Sequence, residues 1–88
     1  MDLKSSFGDL VKVNNNDLKD LGQRIRTRRK AQGLTQEELA DIAGIDRSYI
    51  GGVERGERNI TFNMLCQICK ALQCDVGALT IGLPTSPP

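Results

Sequence analysis

The sequence has no histidine, which removes the commonest general base and the commonest metal ligand. It has no apolar run near the ~20 residues that cross a bilayer, so no transmembrane helix is expected. Lys4 is followed by no apolar stretch, so no secretion signal is expected either. These absences point to a reducing compartment, the cytoplasm of a cell without organelles. Cysteine is scarce and odd in number: Cys66, Cys69 and Cys74. Cys66 and Cys69 form a CxxC, but it falls inside an apolar helical pattern rather than at a helix N-terminus, where a redox thiol is activated. Three thiols without histidine fall short of the four ligands of a structural zinc site. The cysteines therefore read as small buried hydrophobes, and no metal, cofactor or enzymatic site is expected.

Net charge is nearly missing too, at +1 from 12 basic and 11 acidic residues. Its distribution is uneven. Arg24, Arg26, Arg28, Arg29 and Lys30 run together without an acid, and Arg47, Arg55 and Arg58 follow later. The run from 24 to 30 reads equally as one basic face or as solvated helix surface. A chain of near-zero net charge still binds nucleic acid if one face is basic, because phosphates sense the local patch. Its 88 residues suit one small domain.

The most legible stretch is LTQEELADIAGIDRSYIGGVERGERN, residues 34–59. Thr35 and Glu38 have capping-box spacing, in which the hydroxyl takes an orphan N–H and the carboxylate reaches back. Leu39, Ala40 and Ala43 give an apolar face, and Gly44 is a stop. Asp46 can cap a second helix, whose Ile50 and Val53 share a side with Glu54. Two short helices joined by a glycine turn form the helix-turn-helix layout, whose second helix enters a DNA groove.

The rest of the chain reads as support. Residues 1–19 form an extension, either a flexible arm or a short strand at 10–13 that needs a partner. A first helix is expected from Asp17 or Asp20 to Gln32, ended by Gly33. Its inward stripe is Leu21, Ile25, Arg28 or Arg29, and Gln32. An arginine there needs a partner, and Glu54 is the candidate for Arg29. A fourth helix capped by Thr61 shows Phe62, Leu65, Ile68, Cys69 and Leu72 on its stripe, with Met64 and Cys66 off it. Asp75 caps a short fifth helix with Val76, Leu79 and Ile81, ended by Gly82. The domain is thus 20–82, all-α with five helices, and 83–88 is a frayed tail.

On the second motif helix, Arg47, Ser48, Gly51, Gly52 and Arg55 lie opposite the apolar side. Arg47 and Ser48, at its N-terminal end, are placed to reach base edges, and arginine matches guanine in a bidentate fork. Tyr49 suits a phosphate, a thymine methyl or packing at the helix edge. Gly51 and Gly52 read either as backbone brought close to DNA or as a weak helix. Gln36, Arg55 and Asn59 are candidate phosphate contacts, and Arg58 can reach phosphate or base.

These residues resemble the XRE family of lambda-repressor-like helix-turn-helix regulators over residues 21–81. Leu34-Thr35-Gln36-Glu37-Glu38-Leu39-Ala40 and Ile50-x-x-Val53-Glu54-Arg55-Gly56 carry the likeness, and residues 46–60 look most like restriction–modification controller proteins. The resemblance implies a five-helix domain and a homodimer formed through the fourth and fifth helices, where Phe62, Met64, Val76, Leu79 and Ile81 are the candidates. It implies palindromic double-stranded DNA operators upstream of the controller and endonuclease genes. It assigns base contacts to Arg47, Ser48 and Arg58, backbone or nearby contacts to Gln36, Tyr49 and Asn59, and an internal salt bridge to Arg29 and Glu54. A phage-type repressor and an antitoxin or adaptor are the alternatives on the same fold. Arg28 departs from the leucine often found in the family, and the N-terminal extension is longer than usual and open to further contacts.

Overall fold

The computed structural model describes residues 16–85. Among them run five helices: α1 (Asn16–Ala31), α2 (Gln36–Ala43), α3 (Arg47–Glu54), α4 (Phe62–Ala71) and α5 (Val76–Thr80). No strand occurs among the described residues. The expected strand or arm at 10–13 lies outside them. The first helix begins at Asn16, one residue before the earlier of its two expected starts.

Each later helix starts on a side-chain cap. Thr35 accepts from the Glu38 N–H at 3.0 Å, and the Thr35 N–H donates to Glu38 Oε1 at 2.8 Å, which completes the capping box. Asp46, Thr61 and Asp75 accept from backbone N–H groups of Ser48, Met64 and Ala78 and start α3, α4 and α5. The first four helices end alike, with paired 6→1 and 5→2 backbone bonds around a left-handed residue. That residue is Gly33, Gly44 or Gly56 after α1, α2 and α3, but Gln73 (φ 57°) after α4.

Ile25, Leu39, Ile50, Ile68, Leu72 and Leu79 are fully buried and draw all five helices onto one core. Burial of such side chains is worth roughly 1.5–3 kcal/mol each. Ile45, in the turn between α2 and α3, joins them. Where α1 crosses the end of α3, Gly22 lets the backbones meet. A Cβ there would stand 2.3 Å from the Val53 carbonyl oxygen.

Several expectations need correction. Phe62 is 68% exposed, because at the first position of α4 its side chain projects past the end of the core. Met64, expected off the stripe, packs against the core. Leu79 is 1% exposed, since α5 is one turn long and this residue is its core anchor, so it has no surface to offer a partner. Of the expected tail, residues 83–85 are described and held: Leu83 packs on the core, and the Thr85 N–H donates to Asp17 Oδ1 at 2.9 Å.

Candidate nucleic-acid interface

Helix α3 is fixed from below before it presents anything outward. Arg29 on α1 donates through Nε to Glu54 Oε2 at 2.7 Å and through Nη2 to Glu54 Oε1 at 3.0 Å. Its Nη1 donates to the Leu34 carbonyl at 2.8 Å. Both side chains are buried, so the pair sits where a fork of parallel bonds counts most. The hydrogen bonds to Glu54 hold the guanidinium pKa above its ordinary value. The expected salt bridge is therefore present, and Arg29, not Arg28, is the inward arginine.

Gln36 joins this network. Its Nε2 donates to Glu54 Oε1 at 3.0 Å, so one carboxylate ties the first turn of α2 to α3 and α1. The same side chain lines an open hollow with Asp46, Arg47, Ser48, Gly51 and Arg55. Arg47 also borders a second hollow, beside Thr35, Gln36 and Glu37 at the start of α2. The exposed Arg47 side chain thus stands between the first turn of α3 and the first turn of α2. The backbone N–H groups at the start of a helix carry partial positive charge, which suits phosphate.

The residues on the outer side of α3 are largely exposed. Arg47 and Ser48 are exposed at the first turn of α3. The Ser48 hydroxyl donates to Asp46 Oδ2, leaving its oxygen lone pairs outward. That hydroxyl, with the Ser48 backbone N–H, holds the Asp46 carboxyl below the usual carboxylate range. Arg55 Nε donates to Glu57 at 3.0 Å in an exposed pair, which contributes little to stability. Arg58 lies over the Tyr49 ring, 5.4 Å from its centroid, and half-buried Tyr49 packs against the core from the other side. Asn59 is exposed in the loop beyond.

Two sequence expectations change here. Gly51 and Gly52 do not form a bare strip of backbone. Both are buried, beneath the side chains of Arg55 and Arg58 that fold back along the helix. Arg24 leaves the basic run: its Nη1 donates to the Leu79 carbonyl at 3.1 Å and to the Ile81 carbonyl, pinning α5 to α1. Composition gave no signal for this role, because the acceptors are carbonyls 55 and 57 positions away.

The helix-turn-helix family model HTH_3 matches residues 25–79, more than half of the chain. The control protein C.SmaI of Serratia marcescens is 45% identical over 64 residues, covering 72% of this chain and 76% of its own. The restriction–modification controller C.AhdI of Aeromonas hydrophila superposes with a TM-score of 0.72 at 47% identity, covering 73% of this chain and 97% of its own. The controller C.Esp1396I, solved as a tetramer with its natural 35-base-pair operator, gives 0.67 at 36% identity, covering 72% of this chain and 83% of its own. On these matches the chain belongs to the helix-turn-helix family HTH_3, and within it resembles the restriction–modification controllers.

Proposed function

We propose that the chain is a sequence-specific DNA-binding regulator of transcription, acting as a homodimer on a palindromic operator as the controller of a restriction–modification operon. The observation that carries this reading is the placing of exposed Arg47 and Ser48 at the leading end of a helix locked from behind by Arg29 and Glu54. Rigid support is what base readout requires, since a bidentate arginine–guanine pair tolerates little play. The operator complex of C.Esp1396I supports the same use of the fold. Binding, not catalysis, is the activity, and the working place is the bacterial cytoplasm, on the nucleoid.

Dimerisation is supported by Phe62 and Ile81, exposed by 68% and 76% on α4 and just beyond α5. Large exposed apolar side chains on a small domain are suited to a second copy. A dimer would set two α3 helices about 34 Å apart, one DNA turn. Selection of DNA from a random duplex pool tests the reading. Enrichment of an inverted repeat with half-sites one turn apart is expected, and a pool left unenriched would reject it.

A further inference from the structure

The glycine pair of α3 carries an arrangement that the general DNA-binding reading does not contain. We infer that Gly52 is a positioning residue for Arg58: the space of its missing Cβ is the seat across which the Arg58 side chain reaches the Tyr49 ring. A Cβ at position 52 would stand 2.9 Å from Arg58 Cγ, 3.2 Å from Nε and 3.6 Å from Cδ. The guanidinium beyond this seat ends 5.4 Å from the Tyr49 ring centroid. The stem is held by helix backbone and the head by an aromatic face, which is a cation–π arrangement.

The neighbouring glycine makes a useful contrast. A Cβ at Gly51 would meet Arg55 Nη1 at 3.0 Å, the far end of a flexible chain that can swing aside. At Gly52 the contact is with Cγ, near the root of the Arg58 side chain, so the arginine cannot yield without leaving its seat. Tyr49 lies in the first turn of α3, so the guanidinium over its ring stands toward the leading end of that helix. Arg58 therefore crosses from the loop after α3 to the end that carries Arg47 and Ser48. A long side chain already ordered in this way loses less freedom on binding, so discrimination improves without a new contact.

This inference rests on the DNA-binding reading, and the test separates the two. Duplex enriched from a random pool by the parent protein is compared with a scrambled duplex, for the parent, Gly52→Ala, Arg58→Ala and the double variant. Each single variant should lose discrimination on the order of tenfold, and the double variant should lose no more than either. Gly52→Ala should melt no lower than the parent, because alanine is the better helix former. Unchanged discrimination in Gly52→Ala, or losses that add in the double variant, would overturn the inference. Should Gly52→Ala fail to fold, recovery of folding in the double variant supports the seat, and no recovery overturns it. NMR of the free protein reads the seat without DNA. The Arg58 side-chain protons should carry a ring-current shift from Tyr49 that Gly52→Ala abolishes, and persistence of the shift would overturn the seat. If the shift behaves as expected while the parent discriminates no DNA, the seat stands and the DNA-binding reading fails.

Discussion

Glu54 Oε1 receives two hydrogen bonds from different helices, one from Arg29 Nη2 and one from Gln36 Nε2, each at 3.0 Å. Three helices thus meet on one carboxylate, and the pair is desolvated. Removing one member leaves a buried charge without its partner, so Glu54→Ala or Arg29→Ala should cost about 3–5 kcal/mol in urea unfolding. Replacing both by apolar residues of similar size, Arg29→Met with Glu54→Leu, should cost much less than the sum of the two alanine changes. Strict additivity would mean that the two side chains act independently.

Gly22 sets the distance between α1 and α3. The Cβ of an alanine would lie 2.3 Å from the Val53 oxygen and 2.6 Å from the Glu54 oxygen, and neither is a side chain that can turn away. Relief requires α1 to move off α3, which also pulls Arg29 from Glu54. Gly22→Ala should therefore destabilise by at least about 1–3 kcal/mol, the usual cost of overpacking, although alanine favours helix. A thermal melt decides the sign, and a raised midpoint would contradict the close approach.

Gln73 ends α4 in the left-handed conformation, at φ 57°. A side chain there costs roughly 1–2 kcal/mol, while glycine adds about 0.4–1 kcal/mol of unfolded-state entropy. Set against each other, the two favour Gln73→Gly by roughly 0–1.6 kcal/mol, about 0.8 kcal/mol at mid-range. Chemical denaturation should show a higher midpoint with unchanged slope.

Local chemistry explains which parts were legible in the sequence. Thr35–Glu38, Asp46, Thr61, Asp75 and the stop glycines Gly33 and Gly44 are short-range signals, and each marks a real helix boundary. Arg29–Glu54 was legible because a charge on an apolar stripe demands a partner. The misses involve geometry between elements. The burial of Leu79, the exposure of Phe62 and the capture of Arg24 by the α5 carbonyls depend on how helix ends pack, which periodicity cannot express. The glycine pair was singled out by its cost to a helix, but only the fold places Arg55 and Arg58 over it.

Arg47 and Arg55 should fail in different ways when truncated. Arg47 stands exposed at the leading end of α3, so Arg47→Ala should lose about 1–3 kcal/mol of discrimination between enriched and altered duplexes. Arg55 is exposed, with only its Nε paired to Glu57, and is the proposed phosphate contact. Arg55→Ala should weaken all sequences alike and reduce the salt slope of binding by about one. Gel shifts at several salt concentrations separate the outcomes, and the reverse pattern would exchange the two roles.

Stability should fall at both ends of the pH scale, for opposite reasons. Glu38 is held below its ordinary pKa by the Thr35 backbone N–H and hydroxyl, and Asp46 by Ser48. Below the ordinary carboxylate range the unfolded chain binds the protons first, so their contribution is present above that range and is lost as pH falls through the folded values. Burial pushes the Cys69 thiol up to about 11, with the neighbouring Cys74 adding to it. There the unfolded chain loses its proton first, so stability declines as pH rises from the ordinary thiol range toward 11. Glu38→Gln should flatten the acid limb of a stability–pH curve, and Cys69→Ala the alkaline limb. Alkylation near neutral pH should follow the same logic, with Cys69 reacting only as fast as the protein unfolds, because it is both buried and protonated.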